Sequence, residues 1–175
     1  MRSDLSLASR GRLYLDVDGV LSPYVAPGEV PASWPDFREG FLGRRLVVWS
    51  PSMLAAIGQL PVEVVWVTTW GGEAERSFGP VLGSQRPRRV LDLSAAGLGP
   101  AGPKPAAIAE DLGSCLAAFV WVDDEAITPP AVDQLAAFGR PMLTISPDRR
   151  TGLEPYHLED IAAFLDSLQT PGPAG

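Results

Sequence analysis

The chain has 175 residues, 46% of them hydrophobic, and a formal net charge of −7. That length and apolar content suit one domain with a sizeable core and exclude a disordered chain. The negative charge argues against broad electrostatic binding to nucleic acid, and a single cysteine excludes an intrachain disulfide or a thiolate metal cluster.

The first twelve residues, "MRSDLSLASRGR", hold no apolar run long enough for a signal peptide, and no stretch approaches the ~20 apolar residues of a membrane span. A cytoplasmic protein without membrane contact is expected. Short apolar runs then alternate with helical patterns, which predicts α/β architecture with a mostly parallel five-stranded sheet. The predicted strands are Leu13–Val17, Val62–Val67, Arg89–Leu93, Ala118–Val122 and Met142–Ile145. Most are almost continuously apolar, as strands covered on both faces should be.

Between the first and second strands, residues 19–49 break the rhythm. The stretch is rich in Pro, Gly and aromatics, and predicts a β-hairpin flap with "RRLVVW" as one arm. A helix follows in "SPSMLAAIGQL", with Ser50 as N-cap and Pro51 at the first helical position. Further helices are predicted in "GEAERSFGPVLG", in "KPAAIAEDLG" with Gly113 as its C-cap, in "PPAVDQLAAFG" and in "EPYHLEDIAAFLDSL". The core domain is expected over 12–168, with flexible termini at 1–11 and 169–175.

Open parallel sheets bind ligands at the carboxyl ends of their strands. There the chain places Asp16, Asp18 and Gly19 after the first strand, Thr68 and Thr69 after the second, and Asp123 and Asp124 after the fourth. Lys104, the only lysine, opens the helix before the fourth strand. Carboxylates brought this close repel one another, and a hard divalent cation such as magnesium relieves the conflict. A lysine and a threonine hydroxyl opposite the cation suit the remaining oxygens of a phosphoryl group. By its parts this is a phosphoryl-transfer site.

"LDVDGV", strand-terminal Thr68, Lys104 and "WVDDE" resemble, in order and strand context, the four motifs of the haloacid dehalogenase-like (HAD) phosphohydrolase superfamily. The resemblance covers roughly Arg12 to Leu168 and implies a three-layer α/β/α, Rossmann-like fold. It also implies roles: Asp16 as nucleophile forming an aspartyl-phosphate, Asp18 as general acid, Thr68 and Lys104 as phosphoryl-binding and charge-neutralising groups. Magnesium is held in the family by carboxylates matching Asp16 and Asp123 and by the backbone carbonyl matching Asp18. Asp124 matches a supporting partner, and Gly19 the glycine at which the chain leaves the strand. "VWVTTWGGEA", "WVDDE" and "SPDRRTGLEPYHLEDI" further resemble the small HAD domains of actinobacterial proteins and of Swiss Army Knife RNA repair proteins, which implies end-healing phosphatase activity.

Response-regulator receivers use the same residue types in another order, and true dehalogenases lack the second aspartate, so Asp18 indicates an oxygen leaving group. The intervals 19–67 and 70–103 are too short for a large cap, which predicts an open site. An open site suits a nucleic-acid end, or a small phosphorylated molecule if a partner closes the rim. The alternative is a catalytically silent phosphate-binding module. Trp70, Trp34, Phe37 and Phe41 are either core or stacking groups for a substrate ring, and a backbone N–H of Thr69 is a further candidate donor. Cys115 is expected to be a buried small hydrophobe, His157 a surface or packing residue, Glu125 a solvated carboxylate, and Arg86, Arg88 and Arg89 a solvated basic turn. Nothing in the sequence sets the oligomeric state.

Overall fold

The computed structural model describes residues 11–26, 28–83, 87–94 and 102–169. In chain order they form β1 (Gly11–Leu15), β2 (Arg38–Leu42), β3 (Arg45–Trp49), α1 (Pro51–Gln59), β4 (Glu63–Trp66), α2 (Gly72–Phe78) and β5 (Arg89–Val90). These are followed by α3 (Pro103–Gly113), β6 (Ala118–Val122), α4 (Pro129–Ala136), β7 (Met142–Ile145) and α5 (Pro155–Ser167). Five strands make one sheet in the order β5-β4-β1-β6-β7, and all of its pairings are parallel. No helix among the described residues is long and apolar enough to cross a membrane.

Strand alternation sorts the core into two layers. Leu13, Leu15, Trp66, Val120 and Val122 face one way and pack with Met53, Leu54 and Ile57 of α1, Phe78 of α2, and Ile161 and Leu165 of α5. Tyr14, Val65, Phe119 and Trp121 face the other way, against Ile108 and Leu112 of α3 and Ala131 and Leu135 of α4. Each fully buried large side chain contributes about 1.5–3 kcal/mol relative to exposure. Both sheet faces are thus covered, which is why the strands read as unbroken apolar runs.

Boundaries differ from the expected ones where hydrogen bonding decides them. β1 begins at Gly11 and ends at Leu15, two residues before the expected Val17. β5 is an edge strand of only two residues, although Leu91 N–H still donates to the Trp66 carbonyl at 2.9 Å. Gly113 is the last residue of α3 and does not have positive φ; Ser114 caps the helix by donating its N–H to the Asp111 and Leu112 carbonyls. Cys115 is half-buried at that helix end, and its Sγ accepts from Ala117 N–H, so it is not the core residue expected. Arg86, residues 1–10 and residues 170–175 lie outside the described residues.

Two helix starts are capped, the first as expected and the second by a residue expected only at the surface or in packing. Ser50 Oγ accepts from Met53 N–H at 3.2 Å and donates to Asp36, with Pro51 behind it. His157 is buried, and its Nδ1 accepts from Glu154 N–H at 3.1 Å, closing a capping box at the start of α5. At the amino end of the sheet, Asp111 accepts from the Tyr14 hydroxyl, from Arg12 and from Arg89, and Arg12 also reaches Glu63. Burial and the Asp111 carboxylate push the Tyr14 hydroxyl well above its ordinary range.

The expected flap is present as the antiparallel hairpin β2–β3, separate from the main sheet. Its two-residue turn places Gly43 first, at φ +62°, a position where a primed turn requires a glycine-like backbone. Val47 enters the core, and Leu42 and Trp49 pack against it, so one hairpin face is turned toward the sheet. Phe41 and Leu46, paired across the hairpin, are exposed on the opposite face.

Candidate active site at the carboxyl ends of β1 and β6

The sheet order changes direction at β1: β4 and β5 lie on one side, β6 and β7 on the other. The crevice outside such a switch point is where an open parallel sheet receives a ligand. Leu15 pairs with Val122, so the next residue of each strand emerges side by side at that crevice. Those residues are Asp16 and Asp123. Asp16 N–H still donates to the Val122 carbonyl, and Asp123 N–H to that of Ile145, which fixes both backbones as the strands end.

Lys104 joins the two carboxylates. It is the second residue of α3, and its Nζ donates to Asp16 Oδ2 at 2.5 Å and to Asp123 Oδ2 at 2.7 Å. The other oxygens are also engaged. Asp16 Oδ1 accepts from Val17 N–H at 2.7 Å, and Asp123 Oδ1 accepts from Ala126 N–H at 2.7 Å and Glu125 N–H at 3.1 Å. All three side chains are buried. Burial raises the Asp16 carboxyl to about 6, with Asp123 adding to the rise and Lys104 opposing it. Burial alone would lower the Lys104 ammonium, but Asp16 and Asp123 outweigh it and the net shift is upward.

The third carboxylate of the cluster is Asp124, which the sequence suggested only as a support. One carboxylate oxygen each from Asp16, Asp123 and Asp124 lie within 4.8 Å of one another. The Asp124 side chain is 4% exposed, and its Oδ2 has no hydrogen-bond partner. A buried carboxylate oxygen without a hydrogen bond is costly, and the Asp124 carboxyl is raised by burial and by Asp123 and Glu125. Its Oδ2 forms a long ion pair with Arg149 Nε at 3.5 Å. This all-oxygen set fits a hard divalent cation, which would coordinate the Asp124 oxygen that lacks a hydrogen bond and offset the mutual repulsion. Asp16 and Asp123 both accept from Lys104 and from backbone N–H groups, while Asp124 Oδ2 accepts no hydrogen bond, so Asp124 joins them with the least committed oxygen of the three.

Asp18 takes a different direction. The chain from Val17 to Ser22 makes a tight loop in which the N–H groups of Val20, Leu21 and Ser22 donate to the Val17 carbonyl. Asp18 thereby turns its carboxylate toward the flap, where Oδ2 accepts from Arg45 Nη1 at 2.9 Å. It is not one of the clustered carboxylates; the part expected of it toward a cation was its backbone carbonyl. Gly19 follows at φ +70°, and a Cβ there would fall on the Asp124 carboxylate, so glycine is required both by conformation and by space.

Thr68 is buried two residues beyond β4, and Val67 N–H donates to the Leu15 carbonyl, which sets Thr68 beside the end of β1. Its Oγ1 accepts from Trp70 N–H at 3.3 Å, leaving the hydroxyl proton free to donate elsewhere. Thr69 is exposed and, with Thr68, Gly71, Gly72 and Leu91, lines a cleft of about 420 Å³. A larger cavity of about 760 Å³ lies between Tyr24, Val30 and Arg150. It contains none of the expected site residues, so chemistry rather than size locates the site.

Trp70 does not offer a face to a substrate ring. It is 6% exposed, packs against Phe78 with centroids 5.6 Å apart, and is covered by the Arg45 guanidinium at 4.7 Å. Of the two readings offered for Trp70, core or stacking group, the structure supports packing. Trp34 is half-buried and donates Nε1–H to the Leu153 carbonyl, while Phe37 and Phe41 are exposed. Arg45 is the residue that the sequence did not single out. Its neighbours Asp18 and Trp70 are remote in sequence, and only the hairpin's docking brings them together. Comparison of the chain with models of protein families, with curated proteins and with solved structures finds no match.

Proposed function

We propose that the chain is a magnesium-dependent phosphatase of the haloacid dehalogenase-like type, with a capless Rossmann-like core, acting on phosphomonoesters. The observation that carries this reading is the buried Asp16–Lys104–Asp123 bridge with a third carboxylate, Asp124, within 4.8 Å, at the carboxyl ends of adjacent parallel strands. A nucleophile, a neutralising cation and a hard-cation site are the parts that phosphoryl transfer needs.

In this reading an Asp16 carboxylate oxygen attacks phosphorus and the ester oxygen departs, taking a proton from Asp18. The alcohol leaves, and an aspartyl-phosphate remains. Water, giving its proton to Asp18, then attacks phosphorus and releases inorganic phosphate, which restores Asp16. Lys104 holds Asp16 in place and offsets charge on the phosphoryl oxygens, and the Thr68 hydroxyl donates to one of them. Asp16, Asp123 and Asp124, with the Asp18 carbonyl, would hold magnesium, which supplies charge neutralisation for the transferring group. The flap leaves the site open, in keeping with a nucleotide, another small phosphorylated molecule or a nucleic-acid end as substrate.

The test is hydrolysis of a phosphoester panel with and without magnesium. Wild type is expected to show metal-dependent turnover, and Asp16→Asn a loss of about a thousandfold or more. Acid quench of a phosphorus-labelled substrate should leave label on wild type and none on the variant. Phosphate binding without turnover on any ester would refute the enzyme and leave a silent binding module.

A further inference from the structure

We propose that Arg45 makes the site selective for phosphomonoesters that carry a second anionic group close to the ester oxygen, a carboxylate or a phosphodiester; this rests on the phosphatase reading above. Arg45 opens β3 directly after the flap's turn, and its side chain lies on the hairpin face turned toward the sheet. Its Nη1 donates to Asp18 Oδ2 at 2.9 Å, and its guanidinium lies 4.7 Å from the centroid of Trp70. Trp70 is fixed in turn by Phe78. A guanidinium laid on an immobile indole is already oriented, so little freedom remains to be lost when an anion binds.

Among the described residues three cations touch the carboxylates of the rim, and they are not equivalent. Lys104 is buried and divided between Asp16 and Asp123. Arg149 leans on the Tyr24 ring and faces Asp124 and Glu125. Arg45 is 48% exposed and donates to Asp18 through Nη1, which leaves its Nε and Nη2 edge for a planar, two-pronged contact with an incoming anion. Asp18 is the group that gives its proton to the departing oxygen. An anion on the Arg45 edge therefore sits within a few atoms of that oxygen, on the leaving-group side. Away from Arg45 and its partner Asp18, the rim presents Asp124 and Glu125, two carboxylates against the single Arg149, which disfavour a second negative charge. Arg45 reverses that sign at one place.

The experiment compares matched pairs on wild type, Arg45→Ala and Arg45→Lys. One pair is phosphoglycolate against ethyl phosphate. The other is a dinucleotide with a terminal phosphomonoester against the same molecule with a neutral methylphosphonate linkage. Wild type is expected to favour the doubly anionic member of at least one pair by about ten- to a hundredfold in kcat/KM, and the pair with the larger ratio identifies carboxylate or phosphodiester as the second anion. Arg45→Ala should bring that ratio close to one, mainly through KM, and Arg45→Lys should restore part of it. Calorimetric titration of the same pairs with magnesium reads the preference without turnover, so a silent site is distinguished from an unselective one. Ratios of one in wild type, or equal losses on both members of each pair in Arg45→Ala, would overturn the proposal.

Discussion

Asp16 should make the protein less stable than its neutral counterpart when no cation is present, and the effect should grow with pH. Raising this carboxyl from 3.8 to about 6 means that ionising it inside the fold costs about 3 kcal/mol more than in the unfolded chain. Below 3.8 the group is protonated in both states and nothing is lost. Between those values the folded state keeps a proton that the unfolded state has released, so stability falls as pH rises. Above about 6 the full penalty applies. Asp16→Asn cannot ionise and escapes it. Urea denaturation with a chelator present should find the variant level with wild type near about pH 4 and up to about 3 kcal/mol more stable near about pH 8. Adding magnesium at the higher pH should restore wild type and narrow the gap, because a ligand of the folded state stabilises it by mass action. A gap that does not change with pH, or a variant less stable than wild type at the higher pH, would refute the reasoning.

Asp124→Asn should weaken magnesium binding by at least about tenfold, since it removes a charged ligand from the cluster; calorimetric titration measures this, and an unchanged affinity would place the cation elsewhere. Gly19→Ala should cost roughly 1–2 kcal/mol from its left-handed backbone alone and should also lower magnesium affinity by displacing the Asp124 carboxylate, both readable by denaturation and titration. His157→Ala should cost about 1 kcal/mol through the lost cap of α5. Burial lowers the His157 imidazole from 6.5, so its contribution is present above that pH and lost as pH falls through it. The gap between wild type and this variant should accordingly shrink in acid, as followed by urea melts across that range.

The strand cores were legible because burial on both faces leaves a continuous apolar run, and β6 and β7 match the expected spans residue for residue. β1 and β5 were harder. In β1 the ladder stops at Leu15 while apolar character continues to Val17, and at the edge, β5 has a partner on one side only. The meeting of Asp16, Lys104 and Asp123 followed from one rule about strand ends. The entry of Asp124 into the same carboxylate cluster did not, because it depends on the Glu125 and Ala126 N–H groups and on the reach of Lys104, which leave its Oδ2 without a hydrogen bond. Arg45 and Trp70 were illegible for the same kind of reason. A tryptophan after a strand reads equally as core or as a stacking platform, and only the docked hairpin shows that its face is already covered by an arginine. His157 read as a surface or packing residue, and its capping role depends on a ring nitrogen that the sequence does not orient.

Lys104 carries the only side-chain amine in the 175 residues, and it is pinned between two acids in the interior. Reagents that acylate amines therefore have one internal target, and it reports on a single place. Its rate of modification becomes a clock for how often the crevice opens, with no engineered label needed. A bound cation or phosphate that tightens the crevice would slow that clock, while loosening of the sheet ends would speed it.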